Sequence, residues 1–279
     1  MGVCQIWCHY RGLISSFHLG ETIQVSEERF FFERLNLVDI DAAAIGISRW
    51  SWDSIDSSRD DWMQVGSQII KERRYDVLPI EKDSTIESYL CLGENGEYKE
   101  IPISDSIHFR TPALGSLSSL VNEGRNHIFL HNDAHIIVGL LSASNYNCRE
   151  FATVVFNIIT AYESAVANAI RKNAIQVPET EEYLIAKEMN LEVDPVESLN
   201  FSALMNVFSS NYALFSDICG NLAKSRTKLK RVIEKHILLR NDVAHIGAGR
   251  VLIGEGKRDV IELHTQLVEI RSLTALLSD

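Results

Sequence analysis

The chain has 279 residues, 46% of them hydrophobic and 23% charged, and a formal net charge of -11. That length suggests about two domains with a sizeable core, and the composition excludes a disordered or low-complexity protein. The charge excludes wholesale attraction to nucleic acid but is unevenly placed: residues 201–279 carry 11 Lys and Arg against 8 Asp and Glu, and the first 200 carry 16 against 30.

Residues 1–54 show no sustained hydrophobic period, despite the aromatic Phe30-Phe31-Phe32 and Trp50-Ser51-Trp52. They are expected to be an N-terminal extension with no functional reading of its own. The start lacks the basic region and apolar run of a signal peptide, and Ile6 stands where a myristoylation signal wants Ser or Thr. The five cysteines, Cys4, Cys8, Cys91, Cys148 and Cys219, are odd in number and scattered, which reads as free thiols in a cytoplasmic setting. Cys4, Cys8 and His9 have no second close pair to complete four ligands, so no metal is expected.

From Asp60 the pattern becomes regular. Trp62, Val65, Ile69 and Ile70 form one apolar stripe and predict a helix that ends at Lys71-Glu72-Arg73-Arg74. Tyr75 to Ile80 predicts a buried strand, Glu81 to Ser84 a turn, and Ile86 to Leu92 a second strand. About fifty residues later the order returns: a helix over Pro112 to Asn122, a strand over His127 to Leu130, a turn at Asn132-Asp133 and a strand over His135 to Leu141. At that offset Ile70 aligns with Leu120, Ile80 with Leu130, Asp83 with Asp133 and Ile86 with Ile136, so the unit is an internal repeat.

These paired units resemble a tandem of cystathionine beta-synthase (CBS) domains, most closely at Ile128 to Asn145. The resemblance implies a regulatory adenine nucleotide, AMP, ADP, ATP or S-adenosylmethionine, held by a Gly-hydrophobic-hydrophobic-Ser/Thr-x-x-Asp segment. The matching positions are Gly139, Ser142 and Asn145. Gly139 would permit close backbone approach, Ser142 would donate to a phosphate oxygen, and Asn145 would begin a helix whose free N–H groups favour an anion. Asn145 replaces the usual carboxylate. In the first copy Tyr89 and Leu92 stand where Gly and Ser or Thr belong, and only Asn95 keeps the pattern.

Phe151 to Ile170 carries Phe151, Val154, Val155, Ile158, Ile159, Tyr162 and Val166 in helical phase, which predicts a long amphipathic helix closing the repeat. Asn157, Glu163 and Asn168 interrupt it, so no membrane span is expected. The domains expected are therefore an extension over 1–54, a repeat pair over 55–170 (copies 55–100 and 101–170), a Pro-containing connector over 171–196, and a bundle over 197–279. The fold class is α+β followed by an all-α up-and-down helical bundle.

In the bundle, Leu204, Val207, Phe208, Phe215 and Ile218 mark one helix, Leu229, Val232, Ile233 and Leu239 a basic one, and Val260, Leu263, Leu267 and Ile270 the last. Lys224, Arg226, Lys228, Lys230, Arg231 and Lys235 precede the run Arg240-Asn241-Asp242-Val243-Ala244-His245. If a helix begins at Asp242, Asn241 and His245 share nearly one face of its first turn. A permanent cation, an amide and an imidazole suffice to hold a phosphodiester and move a proton on it without a metal. The same string also reads as a helix end and cap.

A helical bundle with Arg-Asn-x-x-x-His after its basic helix resembles the HEPN family, the higher eukaryote and prokaryote nucleotide-binding domains. The resemblance implies a metal-independent endoribonuclease acting on RNA as a homodimer, with His245 in proton transfer, Arg240 on the developing charge and Asn241 orienting the scissile group. The Tyr that follows the His in some members is replaced by Ile246-Gly247-Ala248. The competing expectation is a non-catalytic adenine-nucleotide sensor or interaction scaffold.

Overall fold

The computed structural model describes residues 39–278 apart from Glu94, Asn190, Asn221 and Glu255, and these divide by packing into two units, Ile40–Asn145 and Tyr146 onward. The readings of Phe30-Phe31-Phe32 and of Cys4, Cys8 and His9 lie outside the described residues.

The first unit runs α1 (Ala42–Ile45), β1 (Ile47–Ser48), β2 (Ile55–Asp56), α2 (Trp62–Arg73), β3 (Val77–Lys82), β4 (Thr85–Leu92), β5 (Tyr98–Pro102), β6 (Ser106–His108), α3 (Ala113–Asn122), β7 (His127–His131) and β8 (Ile137–Ser142). Helix α2 forms on its apolar stripe and stops where Arg74 turns left-handed, φ 57, its N–H donating to the Ile70 carbonyl. Lys71 and Arg73 in the last turn suit the negative end of the helix dipole.

The repeat is real. In each copy the first strand pairs parallel with the strand after the helix, β2 with β3 through Ile55 and Ile80, and β6 with β7 through Ile107 and Leu130. The hairpins β3–β4 and β7–β8 are antiparallel, and each breaks register at the same point, Ile80/Glu81 and Leu130/His131. Beyond that break the offset changes. Glu81 faces Ile86, whereas His131 faces Ile137, so the second turn is one residue longer. The counterpart of Ile86 is therefore Ile137, 7% exposed, and not Ile136, which is 47% exposed. A one-residue slip moves a strand side chain to the other face, which is why the alignment of Ile86 with Ile136 fails.

Among the described residues the strands form two sheets, β2-β3-β4-β5 and β1-β8-β7-β6. Residues expected to be a separate extension complete the second: β1 lies antiparallel to β8, with Ile47 opposite Leu140 and Ser48 opposite Gly139. Ile70 of α2 packs with Ile55, Leu78, Ile80 and Leu90 of the strands, and a second cluster, Val77, Ile86, Phe129, Ile137 and Leu140, joins residues of both sheets with Trp52 and Tyr89 at its margin. Each such fully buried aliphatic side chain contributes roughly 1.5–3 kcal/mol.

The second unit is helical: α4 (Arg149–Lys172), α5 (Glu181–Glu188), α6 (Phe201–Ser210), α7 (Ser216–Cys219), α8 (Arg226–Ala244) and α9 (Val260–Ser278). Polar side chains cap three of them, Thr180 on α5, Asn200 on α6 and Ser225 on α8, each accepting the N–H three residues on. The stretch read as one helix through Phe208 and Phe215 is two, because the chain turns between Asn211 and Phe215.

Helix α4 packs on α6, α8 and α9 and buries Phe151, Val155, Ile158, Tyr162, Val166 and Ile170. Expected to close the repeat pair, it is instead a central element of the helical unit, so the chain divides by packing at residues 145 and 146 rather than near 170. By length and hydropathy α4 could cross a membrane, but half of that window is buried within the protein, as in a core helix.

Candidate functional site

In the first unit, the segment expected to cradle a nucleotide closes on itself. The Ser142 N–H and hydroxyl both donate to Asn145 Oδ1, at 2.7 and 2.8 Å, and Ser144 Oγ lies 3.0 Å from Ser142 Oγ. Asn145 does not begin the long helix; it lies in a 3-10 turn, Ala143–Asn147, and α4 starts at Arg149 with Cys148 Sγ accepting the Phe151 N–H. Gly139 serves the sheet. A Cβ there would lie 3.2 Å from the Ile47 carbonyl oxygen and 3.2 Å from Leu130 Cδ1, so the close approach its missing side chain permits is that of β1.

Ser142 stands directly across from His127 in the β7–β8 ladder, and cross-strand partners project from the same face. On that face opens a cleft of about 140 Å³ lined by residues including Tyr89, Ser104, Asp105, Arg125, His127 and Phe129. The Tyr89 ring meets His127 edge-on at 5.0 Å and lies tilted over Phe129 at 5.5 Å. Arg125 pairs with Asp105 at 2.6 Å and with Glu123 at 3.1 Å. Burial pushes the His127 imidazole down to about 4, and the Arg125 charge adds to the shift, so this histidine is neutral at neutral pH. An aromatic wall, a guanidinium and a half-buried imidazole beside a hydroxyl are groups that can take a planar base and an anion. A larger open groove of about 380 Å³ in the second unit, between Gln176, Pro178 and α6, has no charged lining residue.

In the second unit Arg240, Asn241 and Asp242 lie in the last turns of α8, and His245 is its C-cap; no new helix begins at Asp242. The half-buried Arg240 lies near Glu163 of α4, whose carboxyl is pushed up by burial and drawn down by that guanidinium. Asn241 and the exposed His245 carry no side-chain hydrogen bond or ion pair among the described residues. At 3.6 residues per turn, Arg240 and His245 are separated by roughly 140° around the helix, so one chain does not bring them together.

Asp242, expected to begin a helix or to cap one, is the buried hub of this region. Its carboxylate accepts from Arg258 at 3.0 Å, Lys257 at 3.1 Å and Arg250 at 3.3 Å. Arg258 is itself buried and also donates to the Leu252 carbonyl at 3.1 Å. Asn147 pins the same loop, its Oδ1 accepting the N–H groups of Leu252 and Ile253 and its amide donating to the Ile253 carbonyl.

No protein-family model matches the chain, and no curated protein does. Among solved structures it is similar to CBSX2 in complex with AMP, at 10% identity over 38% of this chain and 92% of that one, with a TM-score of 0.33. It is also similar to the CBS domain of the bacterial CNNM/CorC family Mg2+ transporter in complex with ATP, at 15% identity over 45% and 96%, TM-score 0.35. A third, a hemolysin-like protein containing a CBS domain from Oenococcus oeni PSU, matches at 13% over 42% and 94%, TM-score 0.29. These neighbours are CBS-domain proteins.

Tyr89, Arg125 and His127 went unmarked in the sequence because they come from separate strands and a loop; the one-residue shift also makes Leu140 the counterpart of Tyr89 and Ser88 that of Gly139, so Tyr89 does not stand in the glycine position as expected. A second histidine group, His108, His131 and His135, gathers at the far end of the same hairpin with ring separations of 5.0 and 5.6 Å. Among the described residues no three His, Cys, Asp or Glu side chains converge to hold a metal ion.

Proposed function

We propose that the first unit is a CBS-type pair that binds an adenine nucleotide beside Ser142 and acts as the ligand-responsive half of a regulatory protein. What supports this reading is the cleft in which the Arg125 guanidinium meets the Tyr89, His127 and Phe129 rings; Ser142, across the ladder from His127, would donate to a phosphate there only by giving up its bond to Asn145. Small-molecule pockets span about 300–1,000 Å³. A cleft of about 140 Å³ is too small for a nucleotide until Arg125 leaves Asp105, so the ligand selects an opened state in which phosphate replaces the carboxylate. AMP and ATP, bound in two of the structures compared above, are the first ligands to try, with ADP and S-adenosylmethionine beside them. In a thermal-shift series, one of the four is expected to stabilise the protein by about 2.7 kcal/mol at a hundredfold excess over Kd. Ser142→Ala and Arg125→Gln should each reduce that gain. If no nucleotide shifts the wild type, or both variants shift as much as it does, the reading is wrong.

A second reading is a metal-independent endoribonuclease of HEPN type, gated by that ligand, in which Arg240, Asn241 and His245 act across a homodimer. It is favoured by the exposed His245 imidazole at the end of a basic helix. Labelled RNA incubated in EDTA, with and without adenine nucleotides, is then cut by the wild type and left intact by Arg240→Ala/His245→Ala. RNA untouched by the wild type in every condition, or cut equally by the folded variant, removes the claim and leaves the non-catalytic sensor.

A further inference from the structure

Helix α5 and the residues after it are almost uncovered. Of its eight residues only Ala186 is buried, while Leu184, Ile185, Met189 and Leu191 are between 43% and 65% exposed. A helix of this length is marginal alone in water, and a contiguous apolar patch marks a surface meant to be covered. The segment is also acidic: among the described residues, Glu181, Glu182, Glu188 and Glu192 carry no ion pair.

Helix α8 presents the complementary surface. Lys228 and Arg231, three residues apart and so on one side of the helix, are exposed and carry no ion pair among the described residues, and Leu238, 60% exposed, lies further along that side. No ion pair among the described residues joins the two surfaces within the chain. We propose that they meet between copies: the acidic, apolar α5 segment of each chain docks on the basic face of α8 of a second copy. Because each copy offers both surfaces, the contact is made twice in a closed two-fold dimer. Opposite charges set register and partner, and the leucines, Ile185 and Met189 supply the apolar core.

The test is the solution mass of the full chain by light scattering at micromolar concentration. The wild type is expected to be a dimer that loosens in high salt. Lys228→Glu/Arg231→Glu and, separately, Glu182→Lys/Glu188→Lys/Glu192→Lys place like charges opposite each other, so each variant should dimerise about a hundredfold more weakly or worse. Mixing the two variants one to one restores both contacts and should restore the dimer, which misfolded variants could not do. A monomeric wild type overturns the proposal. So do charge-reversed variants that remain dimeric, a mixture that stays monomeric, and a basic-face variant that loses only the ability to hold RNA.

Discussion

Asp242→Ala is expected to destabilise the helical unit by about 3–5 kcal/mol, the cost of leaving a buried cation without its partner. The full cost attaches to Arg258, because that guanidinium and the Asp242 carboxylate are both nearly inaccessible at 3.0 Å. Arg250 and Lys257 are more than a third exposed, and water screens what they would lose. Arg250→Gln should therefore cost under about 1 kcal/mol. Urea unfolding followed by circular dichroism at the helical band measures both. A loss below about 1 kcal/mol in Asp242→Ala would show that Arg258 finds another partner.

The same site sets an acid limit. Burial alone would raise the Asp242 carboxyl, but the contacts from Lys257 and Arg258 outweigh it and hold the carboxyl below its ordinary range. A carboxyl with a depressed folded value stabilises fully above its unfolded value of about 4, and the contribution is lost as pH falls through the folded value. Asp242→Asn removes that acid sensitivity together with the stability.

Periodicity made the regular parts legible. The strands expected at Tyr75–Ile80 and Ile86–Leu92, the stripe of α2 and the return of the pattern in the second copy all follow from which positions are apolar; the structure has these strands at Val77–Lys82 and Thr85–Leu92, so Glu81 and Lys82, expected in the turn, extend the first. What periodicity could not show was partnership at long range. The α4 stripe predicts a buried helix but not its partners, and those prove to be α6, α8 and α9. Gly139 fits a ligand motif equally well as a strand crossing, and the nearby Ile47 carbonyl decides for the strand. Asp242 sat inside a motif defined by its neighbours, and its three partners come from a glycine-containing loop 8 to 16 residues further on.

Acidification should destabilise the first unit as pH falls below about 6.5, and His127 is the cause. Its imidazole is held neutral down to about 4 in the folded state, whereas an unfolded histidine protonates near 6.5. The unfolded chain therefore binds the proton first, so stability is full above about 6.5 and is lost as pH falls toward the folded value. The loss is on the order of 3 kcal/mol. The four tryptophans are Trp7, Trp50, Trp52 and Trp62; Trp50, Trp52 and Trp62 belong to the first unit, and Trp52 meets Phe129 at 6.3 Å in the cluster that joins its two sheets. Tryptophan fluorescence during urea unfolding between pH 7 and 4 thus reports on this unit. His127→Phe, which suits the aromatic surroundings of Tyr89 and Phe129, should flatten the profile; a wild type equally stable at both ends would mean that His127 is not desolvated. An anion in the cleft would reverse part of the effect, because a phosphate beside Arg125 favours the charged imidazole. Nucleotide binding should then take up a proton, and its stabilisation should grow as pH falls from 7 toward 5.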